Sequence, residues 1–258
     1  MNIVVLIKQV PDTYSERRLS GSDNTLDRAS ADSVLDEINE RAVEQALQIK
    51  EAGDAEVTVL SVGPDGAGDA IRKALSMGAD KAIHVSDESI HGSDVLATAK
   101  ILAKAIGKVD GVNLVIAGNE STDGAAGAVP AILAELLGLP QVTHVRKMSI
   151  EGSTVTAERE TDEGITHLQA QLPALVSVGE KINEPRYPSF KGIMAAKKKP
   201  VEKLTVADLG VDEVGLQAAW SEVTEAAPKP PRQAGQKVED GGDGGTKIAE
   251  YLIAEKLI

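Results

Sequence analysis

LVIAGNESTDGAAGAVPAILAELLG, Leu114 to Gly138, is the stretch that decides the fold. Leu114–Ala117 is an apolar run of strand length without polar alternation, the pattern of a strand covered on both faces. Ile132, Leu133, Leu136 and Leu137 recur at helical spacing, and Gly138 stops the helix. Strand, small-residue loop and helix make one βα unit, and the same grammar recurs three times upstream. Ile3–Ile7 is a buried strand; Asp36 caps a helix carrying Ile38, Ala42, Ala46 and Ile49, which ends at Gly53. Glu56–Val62 is closed by Gly63 and Pro64, and a helix follows to Met77 with Gly78 beyond it. Ala82–Val85 is a short strand, after which Ser93 is expected to cap a helix with Val95, Ala99, Leu102 and Ile106 on one stripe. Four such units in a row predict an α/β fold with a doubly wound parallel sheet and right-handed crossovers.

After Pro140 the pattern changes. Val142–Ile150, Thr154–Glu160 and Ile165–Leu172 alternate in strand fashion across two short turn sequences, Glu151–Ser153 and Asp162–Gly164. They predict an antiparallel meander that extends the sheet, followed by one more buried strand at Ala174–Val178. The polar excursion from Pro11 to Ser33 is too long for an ordinary connection and is expected to serve function or face a partner. Ala226 to Gly245 is rich in Pro, Gly and charge, and Thr246–Ile258 returns to a helical pattern through Ile248, Leu252, Ile253 and Leu257. The expected division is a nucleotide-binding domain over 1–196 and a C-terminal arm over 197–258. The arm either wraps another subunit or packs on its own domain.

Composition narrows the chemistry. Apolar residues make up 42% of the 258 residues but aromatics only 2%, so the core must be Val, Ile, Leu and Ala, as in parallel sheets covered by helices. The absence of cysteine excludes disulfides, thiolate catalysis and iron–sulfur ligation. His84, His91, His144 and His167 are scattered without metal-ligand spacing. A net charge of −13 argues against general nucleic-acid binding. MNIVVLIKQV lacks a basic n-region and a cleavage site, and no apolar run approaches the roughly 18–20 residues of a membrane span. A cytoplasmic protein without membrane insertion is expected. No acid, base and nucleophile converge in the sequence, so hydrolytic catalysis has no support.

Three segments carry functional signals. The loop from Gly118 to Pro130 sits where doubly wound sheets bind ligands, after a strand's carboxyl end. Gly124, Ala125, Ala126 and Gly127 allow backbone N–H groups to approach a phosphate, while Ser121, Thr122 and Asp123 offer hydroxyl and carboxylate partners. The loop has neither a Walker A nor a G-x-G-x-x-G pattern, and either a phosphate site or a structural turn fits it. Arg159 and Glu160, beside Asp162 and Glu163, mark a charged strand end that is equally a solvated hairpin end. NEPRYPSFKGIMAAKKK, Asn183–Lys199, places the only Phe, Phe190, in what reads as a short loop before three lysines. Such a residue is either folded into the core or presented to a partner.

Read together, VVLIKQVPDT, DEINERAVEQALQIKE, LSVGP, IRKALSMGADKAIHV, GNESTDGAAGAVPAILAELLGLPQVT, ERETDEG, LPALVSV and NEPRYPSFKGIMAAKKK closely resemble the electron transfer flavoprotein beta subunit, the FixA-like family, along almost the whole chain. The resemblance implies a Rossmann-like domain with a C-terminal arm. It implies an alpha subunit that holds most of the FAD, acyl-CoA and related dehydrogenases as electron donors, and a membrane quinone oxidoreductase as acceptor. It also implies a structural AMP. By position, the AMP site would use Leu6, Asp36, Glu37, Ile38, Asn39, Val62 and the loop Gly118, Asn119, Glu120, Ser121, Thr122, Asp123, Gly124, Ala125, Ala126, Gly127, Ala128 and Val129. Thr13, Arg159 and Glu160 would lie near the flavin and the alpha subunit. Arg186, Tyr187, Pro188, Ser189, Phe190, Lys191, Gly192 and Ile193 would form the partner-recognition segment, with Phe190 as its anchor. Some relatives hold a second FAD in place of AMP and bifurcate electrons, an alternative that the residues leave open. An ATP-using enzyme on the same scaffold is a more distant reading, since the loop lacks a catalytic lysine and metal carboxylates.

Overall fold

Each apolar run of strand length in the first 178 residues becomes a strand of one sheet. The computed structural model describes residues 1–227, 229–232, 235 and 237–258 and contains two units, Met1–Thr224 and Glu225–Ile258. The first unit runs β1 (Asn2–Leu6), β2 (Gln9–Pro11), β3 (Ser33–Leu35), α1 (Glu37–Ala52), β4 (Glu56–Val62), α2 (Gly68–Met77), β5 (Lys81–Val85), α3 (Val95–Ile106), β6 (Val112–Gly118) and α4 (Val129–Leu137). It continues through β7 (Gln141–Glu151), β8 (Thr154–Thr161), β9 (Gly164–Gln171), β10 (Ala174–Val178), α5 (Phe190–Ala196), β11 (Val201–Leu204) and α6 (Val206–Leu209). Nine strands form the main sheet in the order β11-β5-β4-β1-β6-β10-β7-β8-β9. Pairing is parallel from β11 to β7 and antiparallel from β7 to β9. The predicted Rossmann-like doubly wound sheet with an antiparallel extension is the observed architecture.

The two sheet faces bury different helices. Ile3, Val5, Val57 and Val59 pack with Ala42, Ala46 and Leu47 of α1, Ile71 and Leu75 of α2, and Ala196 of α5. Val4, Leu60, Val115 and Leu175 pack on the opposite face with Ile101 and Leu102 of α3, Leu133 of α4 and Leu209 of α6. Alternate residues of one strand thus serve opposite faces, which is why these strands read as continuous apolar runs.

Several expectations need correction. Helix α3 is capped by Asp94, whose carboxylate accepts from Ala97 N at 2.9 Å; the Ser93 hydroxyl instead accepts from Gly215 N at 2.8 Å. The excursion from Pro11 to Ser33 is pinned at its base by a two-stranded antiparallel ladder, β2 on β3. The compact unit extends through Thr224, whereas the sequence reading began the arm at Lys197. The physical reason is that β11 continues the parallel sheet beside β5, from Val201 against Ala82 to Leu204 against Val85. Phe190 opens the short helix α5, capped by the Ser189 hydroxyl accepting from Gly192 N at 3.0 Å, and is not in a loop. Lys199 is held to the neighbouring helix: its ammonium donates to the carbonyl of Leu75 in the last turn of α2 at 2.9 Å and to that of Ala79 just beyond it at 2.5 Å.

In the second unit, α7 (Gly244–Ala254) is the helix expected near the C-terminus, and among the described residues of that unit none is buried. Among the described residues, no helix is long and apolar enough to cross a membrane.

Helix α5 sits so close to α2 that a Cβ on Gly192 would lie 2.4 Å from the Ser76 carbonyl oxygen. Backbone cannot yield as a flexible side chain does, so Gly192→Ala is expected to lower stability by about 1–3 kcal/mol. Urea denaturation checks this; a loss within about 0.5 kcal/mol, the range of neutral surface changes, would mean that α5 is not held against α2.

Candidate functional site

The strand order reverses direction between β1 and β6, because β4 and β5 lie on one side of β1 and β6, β10 and β7 on the other. Open α/β sheets bind ligands in the crevice outside the strand ends at such a point. Leu6 ends β1, Val62 ends β4 and Gly118 ends β6, so these three predicted positions share one end of the sheet. Leu6, Val62 and Val129 belong to one apolar cluster. Gly118 is required here by close approach: an added Cβ would lie 2.6 Å from Asn39 Nδ2, 3.0 Å from Ile38 Cγ2 and 3.1 Å from the Glu120 carbonyl. The start of α1 and the loop after β6 therefore touch.

Asp36 ties them together. Its side chain is fully buried, and one carboxylate oxygen accepts from Ile38 N and Asn39 N at 2.9 and 3.2 Å, capping α1. The other oxygen accepts from Thr122 N at 2.7 Å and Thr122 Oγ1 at 2.8 Å. Asn39 Oδ1 accepts from Lys8 N at 2.7 Å, which fixes the chain as it leaves β1. Glu37 is exposed and accepts from Thr13 Oγ1 at 3.3 Å.

Ser121, Thr122 and Asp123 were expected to offer their side chains to a ligand; the structure engages all three within the chain. Asp123 pairs with Lys8 Nζ at 2.8 Å and with Arg28 Nη2 at 3.0 Å. Lys8 Nζ also donates to Ser121 Oγ at 3.2 Å, and Arg17 donates to the Thr122 carbonyl. Burial alone would raise the Asp123 carboxyl, but Lys8 and Arg28 outweigh it and hold the group down to about 2. Burial draws the Lys8 ammonium below its usual range, with Asp123 pulling the other way.

The phosphate-type donors lie further along the loop. Gly124 N donates to Asp123 Oδ1 and Ala125 N to the Ser121 carbonyl, whereas the N–H groups of Ala126, Gly127, Ala128 and Val129 have no partner among the described residues. Helix α4 has no side-chain cap, in contrast to α1, α3 and α5. Ala125 adopts φ +47° and Gly127 φ +62°, a left-handed geometry that turns the chain into the helix. The buried Asn119 Oδ1 also has no hydrogen-bond partner among the described residues. Uncapped N–H groups at a helix start, beside small side chains, fit a phosphate.

A cleft of about 420 Å³ adjoins this loop. Ile38, Asn119 and Glu120 line it together with His144, Arg146, Glu160 and Lys181. Glu160 pairs with Lys181 at 2.9 Å and Arg146 at 3.5 Å. Arg159 does not line the cleft: its guanidinium folds back onto Thr143, with Nε on the carbonyl at 2.7 Å and Nη2 on Oγ1 at 2.9 Å. His144 stands at φ +56° where the β7 pairing slips register.

The segment from Asn183 to Ile193 is clamped at one end and exposed at the other. Arg186 donates to Glu44 at 2.7 and 3.0 Å and to Glu51 at 3.0 Å, and these two carboxylates raise its pKa above the ordinary guanidinium value. Asn183 Nδ2 donates to the Arg41 carbonyl at 3.1 Å. Arg186 is therefore tied to α1, while Tyr187 is 97% and Phe190 81% exposed, with Ile193 and Met194 exposed beside them. Pro188 and Gly192 are half-buried, and Ser189 and Lys191 are exposed.

The model of the electron transfer flavoprotein domain matches residues 23–209. The chain belongs to the electron transfer flavoprotein beta-subunit family. It is 65% identical over 264 residues to the electron transfer flavoprotein subunit beta of Mycobacterium tuberculosis, covering all of this chain and 99% of that one. The subunit of the same name from Thermoanaerobacterium thermosaccharolyticum is 41% identical over 260 residues, covering all of this chain and 98% of the relative. That of Megasphaera elsdenii is 36% identical over 271 residues, with both chains fully covered.

For this family member the structure adds residues that the sequence reading missed. Lys8, Arg17 and Arg28 converge on the loop from two separate segments, and only the length of the excursion hinted at a role for the latter two. The depressed Asp123 carboxyl has a stability consequence. Its folded-state pKa lies below the unfolded value of 3.8, so its contribution is present above about pH 4 and is lost as pH falls towards 2. Asp123→Asn is expected to cost about 2 kcal/mol at pH 7. Denaturant titrations of both proteins from pH 7 to 2 check it: the difference should shrink below pH 4, and a constant difference would refute the ion-pair origin.

Proposed function

We propose that this chain is the beta subunit of a heterodimeric electron carrier, a cytoplasmic binding and docking partner with no turnover chemistry of its own. In this reading an alpha subunit holds most of one FAD, AMP occupies the crevice between β1 and β6, and electrons pass from acyl-CoA and other dehydrogenases to a membrane quinone oxidoreductase. An electron-transfer role follows from family membership. The observation that carries the finer reading is the loop from Gly118 to Val129, with uncapped N–H groups at the start of α4. Those groups would hold the AMP phosphate, and Leu6 and Val62 would supply apolar contact for the remainder of the nucleotide. Glu160, with Arg146 and Lys181 at the adjoining cleft, would face the alpha subunit. FAD, when bound, supplies the redox chemistry of the heterodimer. This chain's residues position and shield it, and present the docking surface.

The docking surface is Phe190 with Tyr187, Ile193 and Met194. An aromatic ring buried at an interface contributes about 2 kcal/mol or more, and the Arg186 clamp reduces the ordering cost of docking. The arm beyond Thr224 is read as wrapping the alpha subunit, with Ile248, Tyr251 and Ile253 of α7 exposed for it.

The nucleotide content of the purified heterodimer tests the cofactor reading. One FAD and one AMP released per heterodimer on denaturation is expected; two FAD and no AMP would overturn the AMP assignment in favour of a bifurcating type. Phe190→Ala is expected to raise the KM for this carrier at an acyl-CoA dehydrogenase by roughly tenfold or more, with nucleotide content unchanged. An unaltered KM would remove Phe190 as the anchor. Truncation before Ala226 should weaken the alpha–beta complex more than nucleotide binding, and an unchanged dissociation constant would sink the wrapping arm.

A further inference from the structure

The only Trp of the chain, Trp220, is 83% exposed on a segment whose backbone is fixed. Beyond α6 the chain crosses the loop that precedes α3 and the tip of the excursion between β2 and β3. Gly215 N donates to Ser93 Oγ at 2.8 Å and Leu216 N to the His91 carbonyl at 3.1 Å. Trp220 N donates to Asp94 Oδ2 at 2.8 Å, and the Val223 carbonyl accepts from Asn24 Nδ2 at 3.0 Å. Gly215 stands at φ +76°, and a Cβ there would lie 2.5 Å from the Ser89 carbonyl oxygen. Asp23, beside Asn24, meets His91 Nε2 at 2.9 Å, which ties the excursion's tip to the same loop. The backbone from Gly215 to Val223 is thus held by two remote segments, yet Leu216, Trp220 and Val223 all remain exposed. Charge is as uneven as this apolar display. No lysine or arginine occurs between Lys203 and Lys229, where Asp208, Asp212, Glu213, Glu222 and Glu225 fall. The loop before α3 adds Asp87, Glu88 and Asp94, of which Asp87 and Asp94 serve as caps. Few cations answer them: Lys100 pairs with Glu213 at 2.9 Å, Lys108 acts on Asp208, and His91 is taken by Asp23. Asp212 and Glu222 are exposed, so the three apolar side chains carry an acidic rim.

We propose that Trp220, flanked by Leu216 and Val223, is an anchor that seats on a basic, apolar-centred surface of the alpha subunit. This rests on the reading that the chain works as one half of a heterodimer, and it adds a contact distinct from the Phe190 segment. The acidic rim decides between partners. A two-fold contact between copies pairs a patch with itself, so a second copy would bring the same carboxylates face to face, a costly arrangement. A partner with lysines or arginines around an apolar pocket meets both the ring and the rim. Chain continuity points the same way. Trp220 lies four residues before Thr224, the last residue of the first unit, and none of the described residues beyond it is buried. A partner that covers the start of the arm is within about 14 Å of chain from Trp220. The fixed backbone lowers the ordering cost of the contact, as a tight anchor requires.

Fluorine NMR tests this, because fluorotryptophan incorporated into the full-length chain labels one position only. On addition of unlabelled alpha subunit, the Trp220 signal should shift and lose its broadening by a soluble gadolinium chelate. A complex in which that signal stays open to the chelate overturns the anchor and leaves the heterodimer reading standing. If sedimentation shows no complex at all, both fall. A signal that moves with the concentration of this chain alone assigns the patch to a second copy and overturns the proposal as well. Trp220→Ala should raise the alpha–beta dissociation constant roughly tenfold or more, and an unchanged constant would remove the anchor. Asp212→Asn combined with Glu222→Gln should raise it about threefold at low salt and by less at high salt, because exposed charges are screened. No change at low salt would overturn the basic character of the partner surface.

Discussion

The Asp36 carboxylate is the interaction on which the site depends. A fully buried carboxylate is costly unless its lone pairs are filled, and here four donors fill them: two N–H groups at the start of α1 and the N–H and hydroxyl of Thr122. The favourable alignment with the amino end of α1 adds to this. One side chain thereby fixes a helix start and a loop that lie 86 residues apart in sequence. With Thr122 held, Asp123 is placed to receive Lys8 and Arg28, and the following small residues can leave their N–H groups outward. Glycine at 118 is the steric condition for the same junction, since any side chain would meet Asn39 and Ile38.

The strands and helices of the doubly wound sheet were legible because their signals are local. Strand Glu56–Val62 and the stop at Gly78, which adopts φ +145°, agree with the apolar run and the glycine read from sequence. The misses share one cause, which is that the deciding partner is remote. Val201–Leu204 is a short run with two charged residues, and it becomes a strand only because β5 offers a parallel edge. Ser93 and Asp94 are both competent caps, and the choice between them is settled by Gly215, which engages the Ser93 hydroxyl. At the site, glycine and alanine in the loop were readable as phosphate-compatible backbone. That Asp123 would face two cations was not, because Lys8 and Arg28 lie 115 and 95 residues away.

The Asn183–Lys199 segment shows how the same sequence can mix clamp and display. Arg186 and Tyr187 are adjacent, yet one is held by two carboxylates of α1 and the other is almost wholly exposed. Glu44, itself buried, has burial working against its charge, and the Arg186 guanidinium overcomes it. At the far end, Lys199 holds the carbonyls of Leu75 and Ala79, and Gly192 lets α5 press against Ser76. Only what lies between these fixed points is left facing outward.

With Phe190 as the proposed docking anchor, that arrangement bears on how a carrier would dock with several donors. An exposed aromatic on a mobile loop would lose rotamer and backbone freedom on each encounter, a cost that subtracts from the affinity of every complex. Fixing the backbone through Arg186, Gly192 and Lys199 removes most of that cost before contact while the Phe190 ring stays free to seat itself. The crevice side of the subunit follows the opposite strategy, burying the Asp36 and Asp123 carboxylates and surrounding them with donors from remote segments. The loop after β6 and the exposed segment around Tyr187 and Phe190 both take their hold on α1, one through Asp36 at its start and the other through Glu44 and Glu51 further along. Helix α1 is therefore the mechanical link between the proposed nucleotide crevice and the proposed docking segment.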